Sequence, residues 1–427
     1  MTKGTTHQNS RTLPNQAKAN RKCRFCQSPL TEKFADLGLS PLANSYITPD
    51  KLGQGEMYYP LCAYVCPNCH LVQLEQFESP DQIFSDYAYY SSYSQTWLNH
   101  AQAYANQMIN QGWVKTGSFI AEIASNDGYL LQNFDQSQYR ILGIEPAQNI
   151  AHQANAQGIP TIPDFFGTDT ADKLLKQYGS ADLLIANNVL AHVPDINDFV
   201  QGMKHFLAPQ GLITAEFPHL LQLMQHNQFD TIYHEHFSYF SLTTIQTIFA
   251  AHGLTIFQVE QLPTHGGSLR IYAKHQDEQT IRPDSSVEDT IQTEQTYGLQ
   301  NITTYQNFHH QVKQTKRQIL QTLITLKNQG AQIVGYGAPA KGNTLLNYCG
   351  IGPDILDYTV DKNPAKQNKY LPGSRIPIYP IEKIQDDKPQ YILILPWNLQ
   401  EEIKEQMQTI KTWGGHFITL IPEIEID

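Results

Sequence analysis

The chain has 427 residues, a hydrophobic content of 41% and a formal net charge of −11. The length predicts more than one domain, and the acidic balance argues against broad binding to nucleic acid or to anionic membranes. No apolar run reaches the roughly 18 residues of a membrane helix, and Met1 to Asn20 lacks an apolar signal core, so we expect a flexible tail over residues 1–20 and a cytoplasmic protein.

The first motif is a pair of Cys-x-x-Cys sequences, Cys23/Cys26 and Cys66/Cys69. Two such pairs predict one tetrahedral Zn²⁺ site, and four thiolates leave no open position, so the zinc is expected to be structural. Paired disulfides or free thiols are the alternatives, and Cys62 is a competing ligand. A nucleic-acid-binding zinc ribbon is a further alternative, which the absence of Lys/Arg clusters beside this region argues against. We expect a zinc-binding domain over residues 21–82.

Alternating strand-like and helical patterns follow from about residue 100 to residue 225. The pattern predicts an α/β fold with a parallel, doubly wound sheet that binds its ligand at the carboxyl ends of the strands. The expected strands are Phe119–Ala124, Ile141–Glu145, Leu183–Asn187 and Leu212–Phe217. The expected helices are Trp97–Gly112, Tyr129–Phe134, Asn149–Gln157, Thr170–Tyr178 and Ile196–Leu207.

A cofactor loop is expected where the first strand ends. Glu145 ends the second strand, where an acidic residue can accept hydrogen bonds from the ribose hydroxyls of an adenosine; a solvated strand-end carboxylate is the alternative. The Gly-x-Gly-x-x-Gly fingerprint is absent, which favours S-adenosylmethionine over NAD. The candidate cofactor-binding residues are Glu122, Ala124, Asn126, Asp127, Gly128, Glu145, Pro146 and Asn187.

An acid–base cluster, Tyr233-His234-Glu235-His236, follows about a hundred residues later. In an extended segment, alternate side chains share a face, which would pair Tyr233 with Glu235 and His234 with His236; a turn would break this pairing. A polar surface loop is the alternative interpretation.

The last third of the chain predicts a surface connection from Gln276 to Glu294, an amphipathic helix over Asn301–Asn328 and a second Rossmann-like unit over residues 330–427. A strand that begins at Ile333 runs into a Gly-rich turn and a helix. Further strands are expected at Leu356–Val360, Ile392–Leu395 and Phe417–Ile421. Asp361 is compatible with NAD binding, but the turn departs from the dinucleotide fingerprint and contains Pro339.

Several of these segments together resemble one enzyme family. EIASNDGYLL, GIEPAQNIA, ANNVLAHVPD, EFPHL and YHEHFSYFSL occur in this order and resemble the NDP-sugar C-methyltransferases, which are class I S-adenosylmethionine enzymes of deoxysugar biosynthesis. CRFC, LSPLANSY, VCPNC and LVQL resemble their zinc-binding domain, and THGGSLRIY and GYGAPAKGN resemble their later signatures. The resemblance covers nearly all of the chain beyond the tail. Ala124 departs from it, since the family usually has glycine there.

The resemblance implies a methyltransferase domain over residues 83–275 and a substrate that is a nucleotide-linked keto-sugar, methylated at C3 of a 4-keto-6-deoxyhexose. It implies His236 as the base, with Tyr233 and Glu235 holding the sugar or tuning the imidazole. His192, Asn188 and Tyr87 would complete the catalytic set, with Tyr89 as a rival to Tyr87 and an aromatic packing patch as the alternative.

The expected substrate contacts lie in two Gly-rich segments. In THGGSLR, His265 and Gly267 would approach the substrate, and Arg270 would pair with phosphate; a hairpin turn with a surface Arg is the alternative. In GYGAPAKGN, Lys341 would lie near the nucleotide diphosphate, while a purely structural or dinucleotide-binding role remains open. A nicotinamide-dependent NDP-sugar oxidoreductase is the competing function.

Overall fold

The structure is a computed structural model that describes residues 21–78 and 91–427. Among the helices of these two ranges, none combines the length and the apolar character of a bilayer-crossing segment. The described chain forms three sheets, and each expected α/β unit contains one of them. This arrangement confirms the predicted fold class.

The N-terminal sheet is antiparallel and has four strands. Its first three strands are β1 (Glu32–Ser40), β2 (Tyr59–Val65) and β3 (Val72–Leu74). The fourth strand, β9 (Ser238–Tyr239), comes from a distant part of the chain and pairs with β3. The segment just after the Tyr-His-Glu-His motif is therefore built into the zinc-binding domain.

The central sheet has seven strands in the order β10-β11-β8-β7-β4-β5-β6. Strands β8 through β6 of this order run parallel, while β11 is antiparallel to both β8 and β10. The strands are β4 (Phe119–Ile123), β5 (Arg140–Ile144), β6 (Thr161–Ile162), β7 (Ala181–Asn187), β8 (Leu207–Pro218), β10 (Leu254–Leu262) and β11 (Ser268–His275). The chain order reverses between β4 and β7, which is where a doubly wound sheet opens a ligand crevice.

The helices of the central unit begin with capping residues that the sequence supplies. Ser94 accepts a hydrogen bond from the Trp97 amide at the start of α1, and Asp195 accepts from two amides at the start of α4. The helices are α1 (Gln95–Asn110), α2 (Gln148–Ala156), α3 (Thr168–Tyr178), α4 (Ile196–Phe206), α5 (Leu220–Gln225) and α6 (Leu242–Ala251). The helix expected over Tyr129–Phe134 is only a 3₁₀ turn, Leu131–Asn133.

The surface connection expected over Gln276 to Glu294 is wrong in its second half. Helix α7 occupies Ser285–Tyr297, because Asp284 caps its first turn and Val287 and Thr290 are buried along one face. Polar composition hid this helix from the sequence pattern. Helix α8 follows over Ile302–Asn328, where the amphipathic pattern predicts a helix, and the Asn301 side chain caps its first turn.

The C-terminal sheet is a second Rossmann-like unit with strand order β14-β13-β12-β15-β16-β17. Its strands are β12 (Ile333–Tyr336), β13 (Thr359–Val360), β14 (Ile378–Tyr379), β15 (Tyr391–Ile394), β16 (His416–Thr419) and β17 (Glu425–Ile426). Its helices are α9 (Ala340–Cys349), α10 (Lys383–Asp387) and α11 (Gln400–Gln406).

The zinc-binding and C-terminal units share one hydrophobic core. Phe34 of β1 stacks on Phe308 of α8, with ring centroids 4.7 Å apart. The same buried cluster continues into Ile333 and Leu346 of the C-terminal unit. Helix α8 therefore packs between the first and last units, and buried apolar area of this kind stabilises their relative positions.

Candidate active site

The four cysteines of the two Cys-x-x-Cys pairs lie together at the base of the N-terminal sheet. Their sulfur atoms all lie within 4.8 Å of one another, and Cys23 Sγ is 3.6 Å from Cys69 Sγ. These separations are far longer than a disulfide bond of about 2.05 Å and suit four thiolates around one ion. Cys62 lies outside this group. The donor set fits a structural Zn²⁺ held by Cys23, Cys26, Cys66 and Cys69.

The expected cofactor residues lie at the carboxyl ends of β4, β5 and β7. Glu145 is buried, and its two oxygens accept hydrogen bonds from the backbone N–H groups of Asn126 (3.0 Å) and Ala147 (2.9 Å). The carboxylate therefore ties the first loop to the end of β5, and each oxygen has capacity to accept one more hydrogen bond. The alternative of a solvated carboxylate does not describe this buried group.

Buried polar atoms without partners surround the same crevice. They belong to Glu122 (Oε2), Ser125 (Oγ), Asp127 (Oδ1) and Asn187 (Oδ1) within the described residues. Such atoms cost free energy unless a ligand or water satisfies them. The crevice thus offers hydrogen-bond acceptors suited to the amino and ribose hydroxyl groups of an adenosyl cofactor.

Two buried carboxyl groups in this crevice have raised pKa values. Burial raises the pKa of Glu122 well above its usual value, and the charges of Glu145 and Asp127 add to the shift. Burial also raises the pKa of Glu145. A cationic ligand would relieve this cluster of acidic groups, because an opposite charge favours the ionised carboxylates.

The first loop contains three residues with left-handed backbone, Ala124, Asn126 and Gly128. Gly128 has φ +81°, and a Cβ there would lie 2.9 Å from Ile159, so glycine is required by both conformation and space. Ala124 has φ +56° in the same loop. The resembled family usually has glycine at position 124. Glycine would adopt this backbone conformation without strain, whereas alanine is strained there.

The segment from Asn187 to His192 joins the cofactor crevice to the acid–base cluster. Asn188 directly follows the last residue of β7, and neither polar atom of its buried amide has a partner in the described structure. His192 Nδ1 lies 2.8 Å from the backbone oxygen of Glu235. The Phe237 amide donates to the oxygen of Ala191 at 2.7 Å. The two predicted sites are therefore one continuous site.

The Tyr233–His236 motif is a turn, not an extended strand. The His236 amide donates to the Tyr233 carbonyl at 2.9 Å, and the Tyr233 hydroxyl lies 2.8 Å from His236 Nε2. The alternating pairing expected from a strand is therefore wrong, since Tyr233 meets His236 rather than Glu235. His234 points away and lies against Pro60 O of the zinc-binding domain at 3.2 Å.

His236 is held in one tautomer. Its Nδ1 lies 3.0 Å from the carbonyl oxygen of Thr231, and because a carbonyl can only accept, Nδ1 carries the proton. Nε2 then has the lone pair that accepts from the Tyr233 hydroxyl. Burial lowers the pKa of His236 well below its usual value, and the neighbouring His192 ring and the Lys341 ammonium act in the same direction. The imidazole is neutral at neutral pH, the form that a general base requires.

His192 packs beside His236. The two rings lie edge to face with centroids 4.8 Å apart. Burial lowers the pKa of His192 to about 4, and its Nδ1 proton is held by the Glu235 carbonyl. Two neutral imidazoles thus lie together, each with its Nδ1 proton bonded to a backbone carbonyl.

Glu235 is 4% exposed, and its carboxylate accepts a 2.7 Å hydrogen bond from Asn44 of the zinc-binding domain. Burial raises the pKa of Glu235 to about 7, and the Asn44 hydrogen bond opposes this shift. The group therefore changes its charge close to neutral pH.

A buried cation from the C-terminal unit approaches the cluster. Lys341 Nζ lies 4.3 Å from the centre of the Trp397 ring and 2.7 Å from Asn398 Oδ1. Burial lowers the pKa of Lys341 to about 8, with the charge of Asp230 opposing, while burial raises the pKa of Asp230 to about 6. Trp397 Nε1 donates to Asp230 Oδ2 at 2.8 Å, so the two units meet at this group.

The loop from Thr264 to Gly267 closes the site from the sheet side. His265 has φ +55°, and burial lowers its pKa to about 4, helped by the charge of Lys341. A Cβ on Gly266 would lie 2.5 Å from the Trp397 ring, and one on Gly267 would lie 2.6 Å from Gln222. The glycines thus allow close approach to neighbouring side chains of the protein.

Arg270 lies outside the site that the other residues form. Its guanidinium is 3% exposed and pairs with Glu216 at 3.2 Å and Glu260 at 2.9 Å. It also lies over the Tyr104 ring, with the guanidinium carbon 4.8 Å from the ring centre. The expected pairing with phosphate and the alternative of a surface Arg both disagree with this placement, because its charge is compensated inside the central unit.

The Gly-rich turn of the C-terminal unit closes on its own acidic residue. Asp361 Oδ2 accepts from the Ala338 amide at 2.7 Å and lies 3.8 Å from Lys366 Nζ. A Cβ on Gly337 would lie 2.6 Å from Pro396. These contacts fix Asp361 against its own turn much as backbone amides fix Glu145, so they do not by themselves exclude a ribose; the turn departs from the dinucleotide fingerprint in sequence.

The structure brings together most residues that sequence reasoning selected. Asn188, His192, Tyr233, Glu235, His236, His265 and Lys341 converge between the cofactor crevice and the C-terminal unit. Tyr87 and its rival Tyr89 lie outside the described residues. Sequence reasoning missed Asn44, Asp230, Trp397 and Asn398. Only Asn44 lay in a segment that the resemblance had picked out.

A cleft of about 520 Å³ opens beside this cluster, between the central and C-terminal units. Gln228 and Gly266 line one wall, and Trp397, Asn398 and Gln400 line the other. Trp397 and Asn398 of this wall also contact Lys341.

Comparison with known proteins places each unit. Three family models match: a zinc-binding domain at residues 23–84, a methyltransferase domain at 112–259 and a C-methyltransferase C-terminal domain at 263–422. C-methyltransferase NovU of Streptomyces niveus is 34% identical over 403 residues, covering 94% of this chain and 96% of that protein. The solved magnesium protoporphyrin IX methyltransferase of Synechocystis, with bound S-adenosylmethionine, is 12% identical, covers 41% of this chain and 78% of that one, and has a TM-score of 0.32.

Proposed function

This chain belongs to the C-methyltransferase family, and from that premise we propose that its substrate is a nucleotide-linked keto-deoxysugar. The proposed reaction adds a methyl group at C3 of a 4-keto-6-deoxyhexose. The observation that carries the proposal is the neutral, half-buried His236, whose Nε2 accepts from the Tyr233 hydroxyl in the segment joined to the cofactor crevice.

The first step is removal of a proton from C3. The C–H electron pair moves into the bond between C3 and C4 as the proton passes to His236 Nε2, and the C4 carbonyl oxygen takes up negative charge. Thr231 O holds the opposite ring nitrogen at 3.0 Å, so the imidazole keeps the orientation that presents Nε2. Positioned bases of this kind contribute about 10²–10⁴-fold to rate.

The developing negative charge on the C4 oxygen needs donors. The Asn188 amide and the protonated Lys341 approach this pocket and can supply them, and the Tyr233 hydroxyl can join them once the substrate displaces it from His236 Nε2. S-adenosylmethionine supplies the methyl group as a sulfonium, whose sulfur–methyl bond breaks as the bond to C3 forms, leaving a neutral thioether.

The nucleotide half of the substrate is assigned to the interdomain cleft. Lys341 and His265 lie between this cleft and the acid–base cluster, and Trp397 offers an aromatic face on the same side. A Lys ammonium is suited to a diphosphate, whereas the Gly337 and Ala338 amides of the turn before α9 already donate to Val360 O and Asp361. Arg270 has no part in this proposal.

The test uses isotopically labelled S-adenosylmethionine with a panel of dTDP-, GDP- and CDP-linked keto-sugars, and mass spectrometry locates the added methyl. The exposed His152 of α2 supplies a matched control. We expect His236→Asn to lower turnover by about 10²-fold or more, with unchanged affinity for S-adenosylmethionine, and His152→Asn to behave as wild type.

Proton abstraction is measured separately by following exchange of the C3 hydrogen of the keto-sugar with deuterated water. Wild type should exchange it, and His236→Asn should not. Methyl transfer to oxygen or nitrogen instead of carbon, or full turnover by His236→Asn, would disprove the proposed function.

A further inference from the structure

One short segment of the zinc-binding domain, residues 43–46, reaches into the active site. Asn44 Nδ2 donates to Glu235 Oε1 at 2.7 Å, across 191 positions of sequence. No other side-chain donor to this carboxylate occurs in the described residues. The amide orientation follows from this bond, since only Nδ2 can donate to a carboxylate oxygen, and Asn44 Oδ1 then lies 3.3 Å from the Tyr46 hydroxyl.

The 43–46 segment is anchored by the C-terminal unit. Asn343 Nδ2 donates to the Ala43 carbonyl at 2.6 Å, and the Tyr46 hydroxyl donates to the Ala338 carbonyl at 2.6 Å. Just beyond, Ile47 exchanges two backbone hydrogen bonds with Tyr370, at 2.9 and 2.8 Å. The amide of Asn44 is therefore held by contacts on both flanks while it donates to the catalytic turn.

We propose that Asn44 is a positioning residue of the active site, which orients the Glu235 carboxylate and thereby makes the zinc-binding domain part of the catalytic machinery. This inference rests on the proposed function for its kinetic consequences. Its structural part, an energetic coupling between Asn44 and Glu235, stands independently of the substrate.

The groups around Glu235 show what the hydrogen bond from Asn44 contributes. The titratable groups near it are Tyr46 of the zinc-binding domain, Tyr233 and His236 of its own turn, and His192, which donates to its backbone oxygen. Lys366 and Asp361 of the C-terminal unit face Tyr46 rather than the carboxylate. A charge-assisted hydrogen bond from a neutral amide stabilises the ionised carboxylate without adding a competing charge.

The kinetic test compares Asn44→Ala, Asn44→Asp and the control Ser45→Ala, whose side chain is exposed on the same segment. Aspartate keeps the size of asparagine but replaces the donating amide with a carboxylate oxygen that faces the Glu235 carboxylate, and both groups can only accept when ionised. We therefore expect Asn44→Asp to lose more turnover than Asn44→Ala, each by about tenfold or more, and Ser45→Ala to remain at wild-type activity. In both Asn44 variants the Glu235 carboxylate loses its donor, so its pKa should rise. The part of the kcat/KM profile that depends on the ionisation of Glu235 should therefore shift to higher pH.

A role in packing alone predicts the reverse order, since aspartate fills the site and alanine does not. Equal activity of all three variants, or greater activity in Asn44→Asp than in Asn44→Ala with an unmoved pH profile, would overturn the inference. Loss of zinc-domain folding is checked by zinc content, which should equal that of wild type.

A second measurement needs no substrate. A double-mutant cycle combines Asn44→Ala with Glu235→Gln and follows urea unfolding at acidic and alkaline pH. The coupling between the two positions should grow as Glu235 ionises, because the amide favours the charged form. Absence of pH-dependent coupling disproves the inference even if wild type is active, whereas inactive wild type with intact coupling disproves only the proposed function.

Discussion

The buried carboxyl of Glu235 makes a specific prediction about stability and pH. Replacing Glu235 with glutamine keeps the shape of the side chain and an oxygen that can accept from Asn44, but removes the ionisation. The pKa of Glu235 rises from an ordinary 4.5 to about 7 in the folded protein, because burial disfavours the charged form. Since one pKa unit corresponds to 1.36 kcal/mol, this group changes the free energy of unfolding by roughly 3 kcal/mol across that interval.

The sign follows from the protons bound in each state. Between pH 4.5 and about 7 the folded protein holds a proton on Glu235 that the unfolded chain has lost. This contribution to stability is complete below the unfolded pKa and is lost as the pH rises through the folded pKa. Wild type should therefore lose stability relative to Glu235→Gln as the pH rises, and the difference should level off above the folded pKa.

The assay is urea unfolding followed by tryptophan fluorescence at several pH values on either side of neutrality. Trp397, which bonds to Asp230 beside the catalytic turn, reports on the relevant region. Glu401→Gln, at an exposed carboxyl of α11, serves as the matched control and should track wild type at every pH. A constant difference between wild type and Glu235→Gln over the whole range would refute the reasoning, since it would mean that burial does not perturb the carboxyl.

Three further predictions address other parts of the molecule. Ala124→Gly should raise the free energy of unfolding by about 1 kcal/mol in thermal or urea melts, because φ at this position is +56°; an unchanged or lower value would contradict the strain. Cys66→Ser should abolish zinc binding, as measured by metal analysis. It should also lower turnover, because strand β9 and Asn44 depend on the zinc-binding domain, while S-adenosylmethionine should still bind in calorimetry. Normal turnover without zinc would count against this link. Lys341→Met should raise KM for the nucleotide-sugar by about tenfold, and an unaltered KM would exclude contact with the substrate. Burial lowers the pKa of Lys341 to about 8, so wild type should lose activity near pH 8 as Lys341 gives up its proton, and the variant should not.

Local patterns predicted what depends on neighbours in sequence. The two Cys-x-x-Cys pairs determine a zinc site because each pair forms a short knuckle, and the sulfur atoms do converge within 4.8 Å. The order of alternating elements predicted the α/β fold and the ends of strands at which polar residues gather. The amphipathic pattern of α8 was confirmed within one residue at its start.

Patterns failed where the environment comes from elsewhere in the chain. Arg270 looked available for phosphate, but Glu216 and Glu260 on neighbouring strands compensate its charge, and no local signal shows which carboxylates pair with it across a sheet. Helix α7 was hidden because its polar composition resembles a connection until the faces that bury Val287 and Thr290 are known.

The sequence by itself determined the kinds of groups present: four thiolates for a metal, a crevice with acidic residues at strand ends, and an imidazole-rich motif. Only the tertiary structure decided that the motif is a turn, that His236 carries its proton on Nδ1, and that Asn44 from the first domain donates to Glu235. The physical reason is that protonation and orientation depend on burial and on partners, and those partners lie up to 191 positions away along the chain.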